Sequence, residues 1–153
     1  MREDVRLMAD WSPWVPLLGV EAPRLPGVYL ARWGADGPVV YVGKAGDRDG
    51  NGTKPKQGLH GRLRRYTSGK ALASGLGEAV FDRALADAKW VRERLTAIES
   101  GHPERATDWG KAALAWADLQ VCWATTADAS TAAALEKEVL AAFAATGVWN
   151  RAV

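Results

Sequence analysis

Two tyrosines and a lysine occupy neighbouring stretches that both have the residue pattern of a β-strand. Tyr29 lies within 27–33, Tyr41 lies within 38–44, and the second stretch ends at Gly43-Lys44. β-Branched and aromatic residues suit a pleated surface, and the connector Gly-Ala-Asp-Gly has a glycine at both ends, as a tight reversal requires. The sequence therefore predicts a β-hairpin that presents two phenols to a substrate beside a flexible glycine and a lysine.

A basic stretch follows the hairpin. From Lys44 to Lys70 there are eight basic residues and two acidic ones, a local charge of +6, although the whole chain carries a net charge of only +2. Because phosphate contacts dominate the affinity of proteins for nucleic acids, an excess of this size suits a polyanion. The alternative is a solvated basic loop, since residues 45–57 are dense in Gly, Asp, Asn and Pro.

A helix is predicted at the end of this stretch, over 58–66, with the sequence GLHGRLRRY. Its two leucines and Tyr66 recur at spacings of four and three residues, which is typical of one buried helical face. Arg62 borders that face, whereas Arg64 points elsewhere on the helical wheel. Arg62 is therefore the arginine that we expect to be held in a fixed pose.

A glutamate lies on the apolar face of the last predicted helix. This helix begins near Asp128 or Ser130, either of which is a fair N-cap, and runs through Phe143 or just beyond. Glu136 falls among the apolar positions, while Glu138 faces outward. A carboxylate on an apolar face costs several kcal/mol unless it is paired or bound to a metal. Both an arginine partner and a metal ion would explain Glu136.

The remaining strand pattern predicts the sheet that positions these residues. Leu119, Val121 and Trp123 alternate with polar or small residues, as a strand requires. The expected fold is therefore α/β, with a small three-stranded antiparallel sheet flanked by helices. Its strands are predicted at about 26–33, 38–44 and 118–125.

Three further segments complete the prediction. A long amphipathic helix is expected over 78–100, after a linker of small residues at 67–77, and a weaker helix over 109–116. Residues 1–25 contain tryptophans interrupted by prolines, which makes long regular structure unfavourable. They predict an irregular arm that packs on the core, with stacking of its tryptophans on nucleobases as the alternative.

Length and composition exclude several classes of protein. With 153 residues, 48% of them apolar, the chain has the size and content of one domain with a substantial core. The single cysteine, Cys122, allows neither a disulfide nor a thiolate-rich metal cage within a monomer. No stretch approaches the roughly 18 apolar residues of a membrane span, and the first residues lack an apolar leader segment. We therefore expect a soluble, cytoplasmic protein with no membrane association.

Taken in order, several of these features resemble the GIY-YIG nuclease superfamily. They are GVY at 27–29, YVG at 41–43, the arginine within GLHGRLRRY, the inward Glu136 and Asn150 near the end of the chain. The resemblance covers 26–150. It implies a compact α/β domain, here 26–153 with a helical elaboration at 78–116, that cleaves phosphodiester bonds in DNA with one divalent ion, Mg²⁺ or Mn²⁺.

The resemblance also assigns roles to individual residues. Glu136, rather than Glu138, is followed three and four residues later by the two aliphatic residues of the family pattern, and it matches the metal ligand. The catalytic set implied is Tyr29, Tyr41, Lys44, Arg62, Glu136 and Asn150. The residues predicted to contact the substrate are Gly43, His60, Arg64, Arg65 and Tyr66.

One position departs from the family pattern. The family often has a histidine four residues after the arginine, and Tyr66 stands there in this chain. His60 precedes Arg62 and so does not replace that histidine directly. Tyr29 is the first candidate for orienting or deprotonating the attacking water, with Tyr41 as the alternative. Because an ordinary phenol has a pKa of about 10, Lys44 or the metal would have to lower it.

The sequence thus predicts a metal-dependent DNA endonuclease that acts without an obligate protein partner, and it leaves a homodimer open. A nucleic-acid-binding module of the same fold, with weak or no catalysis, is the alternative. A structural subunit that uses a tryptophan-rich surface is a third interpretation. DNA is the expected partner in the first two.

Overall fold

The computed structural model describes residues 1–46, 57–72 and 75–150. Its centre is an antiparallel sheet of four strands in the spatial order β1-β4-β2-β3. The strands are β1 (Val15–Pro16), β2 (Gly27–Trp33), β3 (Val39–Ala45) and β4 (Leu119–Thr125). The three predicted strands are therefore confirmed, and β2 lies between the other two.

The prediction of three strands missed β1. This strand has two residues, and it pairs with β4 at the outer edge of the sheet, Val15 opposite Val121. It lies in the proline-rich arm and ends at Pro16, whose nitrogen has no hydrogen to donate to a ladder. A two-residue pairing of this kind has no periodicity that a sequence pattern can reveal.

Six helices cover the sheet in the part of the chain that the structure describes. They are α1 (Glu3–Arg6), α2 (Gly58–Thr67), α3 (Gly75–Leu85), α4 (Ala88–Glu99), α5 (Ala106–Ala117) and α6 (Ala129–Phe143). The helix predicted over 58–66 is confirmed as α2, and the last predicted helix as α6. Asp128 is the N-cap of α6, since its side chain accepts a hydrogen bond from the backbone N–H of Thr131. None of these helices is long and apolar enough to cross a membrane.

The continuous helix predicted over 78–100 is wrong. The chain forms α3 and α4 instead, with a break at Asp87, whose backbone is extended at φ −87° and ψ 106°. The Asp87 carboxylate accepts hydrogen bonds from the backbone N–H groups of Lys89, at 2.8 Å, and Trp90, at 3.1 Å. It therefore caps a new helix. The apolar periodicity continues through this break, which is why a sequence pattern joins the two helices.

Both faces of the sheet are buried, and successive residues of β2 contribute to different cores. Tyr29 and Ala31 pack with residues of α2, α3 and α5 on one face. Val28 and Leu30 pack with Val139 and other residues of α6 on the opposite face. Because side chains alternate along a strand, β3 likewise presents its residues to both cores. β3, at the edge of the sheet, therefore carries side chains that face both cores.

The tryptophans of the N-terminal arm pack against the core on the α6 face. Trp11 and Trp14 are both partly buried there. The indole N–H of Trp11 donates a hydrogen bond to the backbone oxygen of Val5 at 2.9 Å, and the Arg32 guanidinium lies 4.5 Å from the centre of the Trp14 ring. These contacts hold the side chains of Trp11 and Trp14 against the core.

Candidate functional site

The three tyrosines of the chain form one cluster on the α2 face of the sheet. Tyr29 is only 1% exposed, and its hydroxyl lies 2.8 Å from the hydroxyl of Tyr66 on α2. The ring of Tyr41, on β3, stacks on that of Tyr29 with 6.2 Å between ring centres. Tyr66, four residues after Arg62, is therefore joined to Tyr29 by a hydrogen bond.

Two glycines make room for this cluster. Gly43 is paired with Tyr29 across the hairpin, and a Cβ atom at Gly43 would lie 2.4 Å from the Tyr29 hydroxyl. Gly75, at the start of α3, has φ +53°, and a Cβ there would lie 2.8 Å from the Tyr41 hydroxyl and 3.0 Å from that of Tyr66. Sequence reasoning placed Gly75 in a linker and missed it, because nothing in its surroundings is periodic. The role that the structure shows for Gly43 is to make room for the Tyr29 ring, and the predicted substrate contact stays a prediction.

Both tyrosines of the hairpin are held in the neutral form. Burial, followed by the neighbouring Tyr66 and Tyr41, raises the pKa of Tyr29 well above its ordinary value, and the Arg62 charge acts in the opposite direction. The pKa of Tyr41 is raised by burial first, then by Tyr66 and by the Glu136 carboxylate, while Arg62 again opposes the shift. At neutral pH the two phenols are therefore hydrogen-bond donors. The direction of these shifts opposes a role for Tyr29 as a general base.

Glu136 and Lys44 form an ion pair at the edge of the sheet. The Lys44 ammonium, on β3, lies 2.5 Å from the Glu136 carboxylate, on α6. The Glu136 side chain is 18% exposed and that of Lys44 is 46% exposed. Glu138 is exposed, so the predicted orientation of these two glutamates is confirmed. The partner of Glu136 is a lysine, whereas the sequence left an arginine or a metal ion as the explanations.

Arg62 links the tyrosines to the basic face of α2. It is half-buried, while Arg64 and Arg65 are exposed, as the helical wheel predicts for Arg62 and Arg64. Its charge opposes the rise in the pKa of both Tyr29 and Tyr41. Within the part of the chain that the structure describes, Arg62 has no hydrogen-bond or ion-pair partner. Its donors are available to an anion.

Asn150 reaches back to the hairpin, but its amide binds backbone. The side-chain oxygen accepts a hydrogen bond from the N–H of Val42 at 3.0 Å, and the side-chain nitrogen donates to the oxygen of Val42 at 2.6 Å. Both ends of the amide are therefore used to cover the outer edge of β3. His60 has a buried ring nitrogen, Nε2, without a hydrogen-bond partner among the described residues.

The predicted residues thus fall into two groups that meet at Tyr41. Tyr29, Tyr41, Tyr66 and Arg62 lie on one side of β3, and the Glu136–Lys44 pair lies on the other, close enough for its carboxylate to raise the pKa of Tyr41. Asn150 supports the strand that carries Tyr41. Three of the basic residues predicted to face a polyanion, Arg48, Lys54 and Lys56, lie outside the described residues.

The donor set for a metal ion is small. In the described ranges, no group of three or more His, Cys, Asp or Glu side chains is placed so as to hold an ion. Glu136 is the one carboxylate beside the tyrosine cluster whose charge acts on Tyr41. A single carboxylate holds a hard divalent cation only loosely, with water and substrate as the other ligands, and the ammonium of Lys44 competes with such an ion for Glu136.

Comparison with protein-family models, with curated proteins and with solved structures finds no match to this chain. The class of protein therefore has to be argued from the residues and their geometry alone.

Proposed function

We propose that this protein is a DNA endonuclease of the GIY-YIG type, which hydrolyses phosphodiester bonds with one divalent metal ion. The observation that carries the proposal is the arrangement around Tyr41 on the edge strand. The charge of Arg62, whose side chain has no partner among the described residues, lowers the pKa of Tyr41, and the Glu136 carboxylate, paired with Lys44, raises it. Such a set of opposite charges around a neutral donor suits the anionic, trigonal-bipyramidal centre of phosphodiester hydrolysis.

Arg62 is the proposed ligand of the scissile phosphate. A guanidinium presents a fixed fork of donors that matches two phosphate oxygens. Arg62 is half-buried on α2, so its position is restricted, and no carboxylate of the described chain competes for it. The phosphate would then lie beside the hydroxyl of Tyr41, which donates a hydrogen bond in its neutral form.

Tyr29 and Tyr66 are proposed to hold the donor array in place. Tyr29 is fully enclosed, and its hydroxyl bonds to that of Tyr66. Because its pKa is raised, Tyr29 keeps its proton at neutral pH and orients its neighbours through hydrogen bonds. Tyr66 then occupies the position of the family's histidine and supplies a second hydroxyl there.

Glu136 and Lys44 are proposed to bind the metal and to position the attacking water. A bound Mg²⁺ or Mn²⁺ would neutralise phosphate charge and lower the pKa of a water molecule. Glu136 would hold the ion as a single carboxylate, so affinity for the metal without DNA should be weak. Lys44 has a flexible, half-exposed side chain, and it can move from the carboxylate to a phosphate oxygen when DNA binds.

A cleavage screen tests the proposal. Plasmid, branched and single-stranded DNA are incubated with the purified protein in Mg²⁺ or Mn²⁺, and nicking is followed on gels. We expect cleavage of at least one substrate, and we expect Glu136→Gln to abolish it while DNA binding, measured by fluorescence anisotropy, persists. Glu138→Gln is the matched control, because Glu138 is exposed on the same helix. If the protein cuts none of these substrates with either metal, the proposal that it is an endonuclease is wrong.

A nucleic-acid-binding module without catalysis is the second candidate. Two observations favour it: the phenols are held neutral, and the only proposed metal ligand is already paired with Lys44. The same screen separates the two functions. A binding module would retain DNA affinity in all variants of Glu136 and would cut nothing.

A further inference from the structure

A cavity of about 170 Å³ lies next to the proposed site, between the end of β3 and the first turns of α2. Two of the residues that line it are arginines, Arg62 and Arg65. They are three residues apart on α2, so both lie on the same side of the helix. Its other lining residues are small or neutral: Ala45, Gly46, Gln57, Gly58 and Gly61.

The charge of this cavity is uncompensated in the described parts of the chain. The lining residues that the structure describes include no carboxylate. The side chains of Arg62 and Arg65 have no hydrogen-bond or ion-pair partner among the residues that the structure describes. Two like charges beside one water-filled space favour an anion that both can bind, and phosphate oxygens match the guanidinium fork.

The backbone at the start of α2 does not supply this site. The N–H groups of Leu59 and His60 donate to the backbone oxygens of Leu25 and Pro23, at 2.9 and 3.0 Å, and that of Gly61 donates to the oxygen of Gln57 at 2.8 Å. These donors are therefore occupied, and the helix terminus offers them to no ligand. The two arginine side chains are therefore the groups that would bind an anion.

The position of the cavity relates it to the proposed cleavage site. Ala45 ends β3 directly after Lys44, and Gly46 follows it. Arg62, the proposed ligand of the scissile phosphate, also lines the cavity, one helical turn before Arg65. A DNA strand whose scissile phosphate is bound by Arg62 would therefore bring a neighbouring phosphate to this cavity.

We propose that the cavity binds a phosphodiester that flanks the cleaved one on the same DNA strand. Arg65 is its main ligand, and Arg62 lies between the two phosphates. This inference rests on the proposed function, because it takes DNA as the ligand. The additional contact sets the register of the DNA strand. It contributes to binding, whereas the residues around Tyr41 carry out the cleavage.

The test is a scan with neutral phosphates. Binding of the full-length protein to a labelled duplex is measured by fluorescence anisotropy in EDTA, so that nothing is cut. The duplexes carry a single methylphosphonate, in place of one phosphate, at each position around the preferred cut. Arg65→Gln is compared with Arg64→Gln, which removes the same charge one residue earlier, from an exposed side chain outside the cavity lining.

We expect one flanking methylphosphonate to weaken binding by the wild type about tenfold, as the loss of a charged hydrogen bond does. Arg65→Gln should bind the unmodified duplex about tenfold more weakly, reduce the salt slope by about 1, and become insensitive to that methylphosphonate. Arg64→Gln should keep the sensitivity of the wild type. Because both side chains are exposed, neither substitution should disturb folding.

Two other outcomes have different meanings. If Arg65→Gln keeps the same methylphosphonate profile as Arg64→Gln, the cavity binds no flanking phosphate, while DNA binding and the proposed function stand. If the wild type binds no DNA under these conditions, the proposed function itself fails and the inference falls with it.

Discussion

Replacing Asn150 should lower the stability of the fold more than it lowers the rate of DNA cleavage. The amide of Asn150 makes two hydrogen bonds with the backbone of Val42, and the adjacent Trp149 donates its backbone N–H to the oxygen of Val40 at 2.6 Å. β3 is the edge of the sheet, so these contacts cover backbone groups that no neighbouring strand pairs. The family resemblance, in contrast, implies a catalytic asparagine.

The expected size of the effect follows from the two bonds. A protein hydrogen bond contributes about 1 kcal/mol net, so Asn150→Ala should lower the free energy of unfolding by about 2 kcal/mol. For a chain of this length that corresponds to a fall in Tm of about 4–8 °C. Most molecules would still be folded at 25 °C, because native proteins have about 5–15 kcal/mol of stability.

Thermal and urea unfolding of the variant measure the stability, and nicking of DNA at 25 °C measures the activity. We expect the lower Tm together with a cleavage rate within about tenfold of the wild type, well above the rate of Glu136→Gln; a 1.4 kcal/mol change in the barrier corresponds to tenfold. An unchanged Tm with lost cleavage would refute the reasoning. Asn150 would then act on the substrate.

Asn150→Asp is the matched control. It keeps an acceptor for the N–H of Val42, but it places a carboxylate oxygen against the carbonyl of Val42. Only the protonated acid can donate there, so its pKa in the folded protein should be raised above the ordinary value of about 3.9. Relative to the wild type, the stability of this variant should therefore be highest below about pH 4, and it should fall as pH rises through the raised pKa.

Two further predictions concern the tyrosine cluster. In titrations followed at 295 nm, at least two of the chain's three tyrosines should ionise well above pH 10 in the native protein, because the pKa values of Tyr29 and Tyr41 are raised. The pKa of a tyrosine in the unfolded chain is about 10, so the stability of the fold should decrease as pH rises above 10. If all three tyrosines of the native protein ionised with a pKa of about 10, the prediction would be wrong. Gly43→Ala should lower stability by about 1–3 kcal/mol and reduce cleavage, since its Cβ would lie 2.4 Å from the Tyr29 hydroxyl. A variant with normal stability and cleavage would show that the Tyr29 ring has room to move.

Local patterns were sufficient to predict the hairpin, the third strand and the helices that carry Arg62 and Glu136. The reason is that burial repeats with the geometry of the element: alternation in β4, and spacings of three and four residues in α2. The same geometry separated Arg62 from Arg64 and Glu136 from Glu138. It failed at Asp87, where a capping side chain begins a new helix within a stretch that periodicity joins into one.

Contacts between distant segments lay beyond such patterns. Lys44 and Glu136 are 92 residues apart, and nothing in either local sequence identifies the other as its partner. The resemblance implies a histidine at the position of Tyr66. The hydrogen bond between Tyr66 and Tyr29, however, forms only because α2 lies across β2. In the same way, the target of Asn150 depends on where the end of the chain crosses the edge of the sheet.

By itself, the sequence determined which face of its own helix or strand each candidate residue occupies, because periodicity and side-chain type are local properties. The tertiary structure decided which of these residues meet. It placed Tyr41 between Arg62 and the Glu136–Lys44 pair, and it raised the pKa of both hairpin phenols through burial. Pairing and desolvation arise only when separate elements pack, so no stretch of sequence contains them.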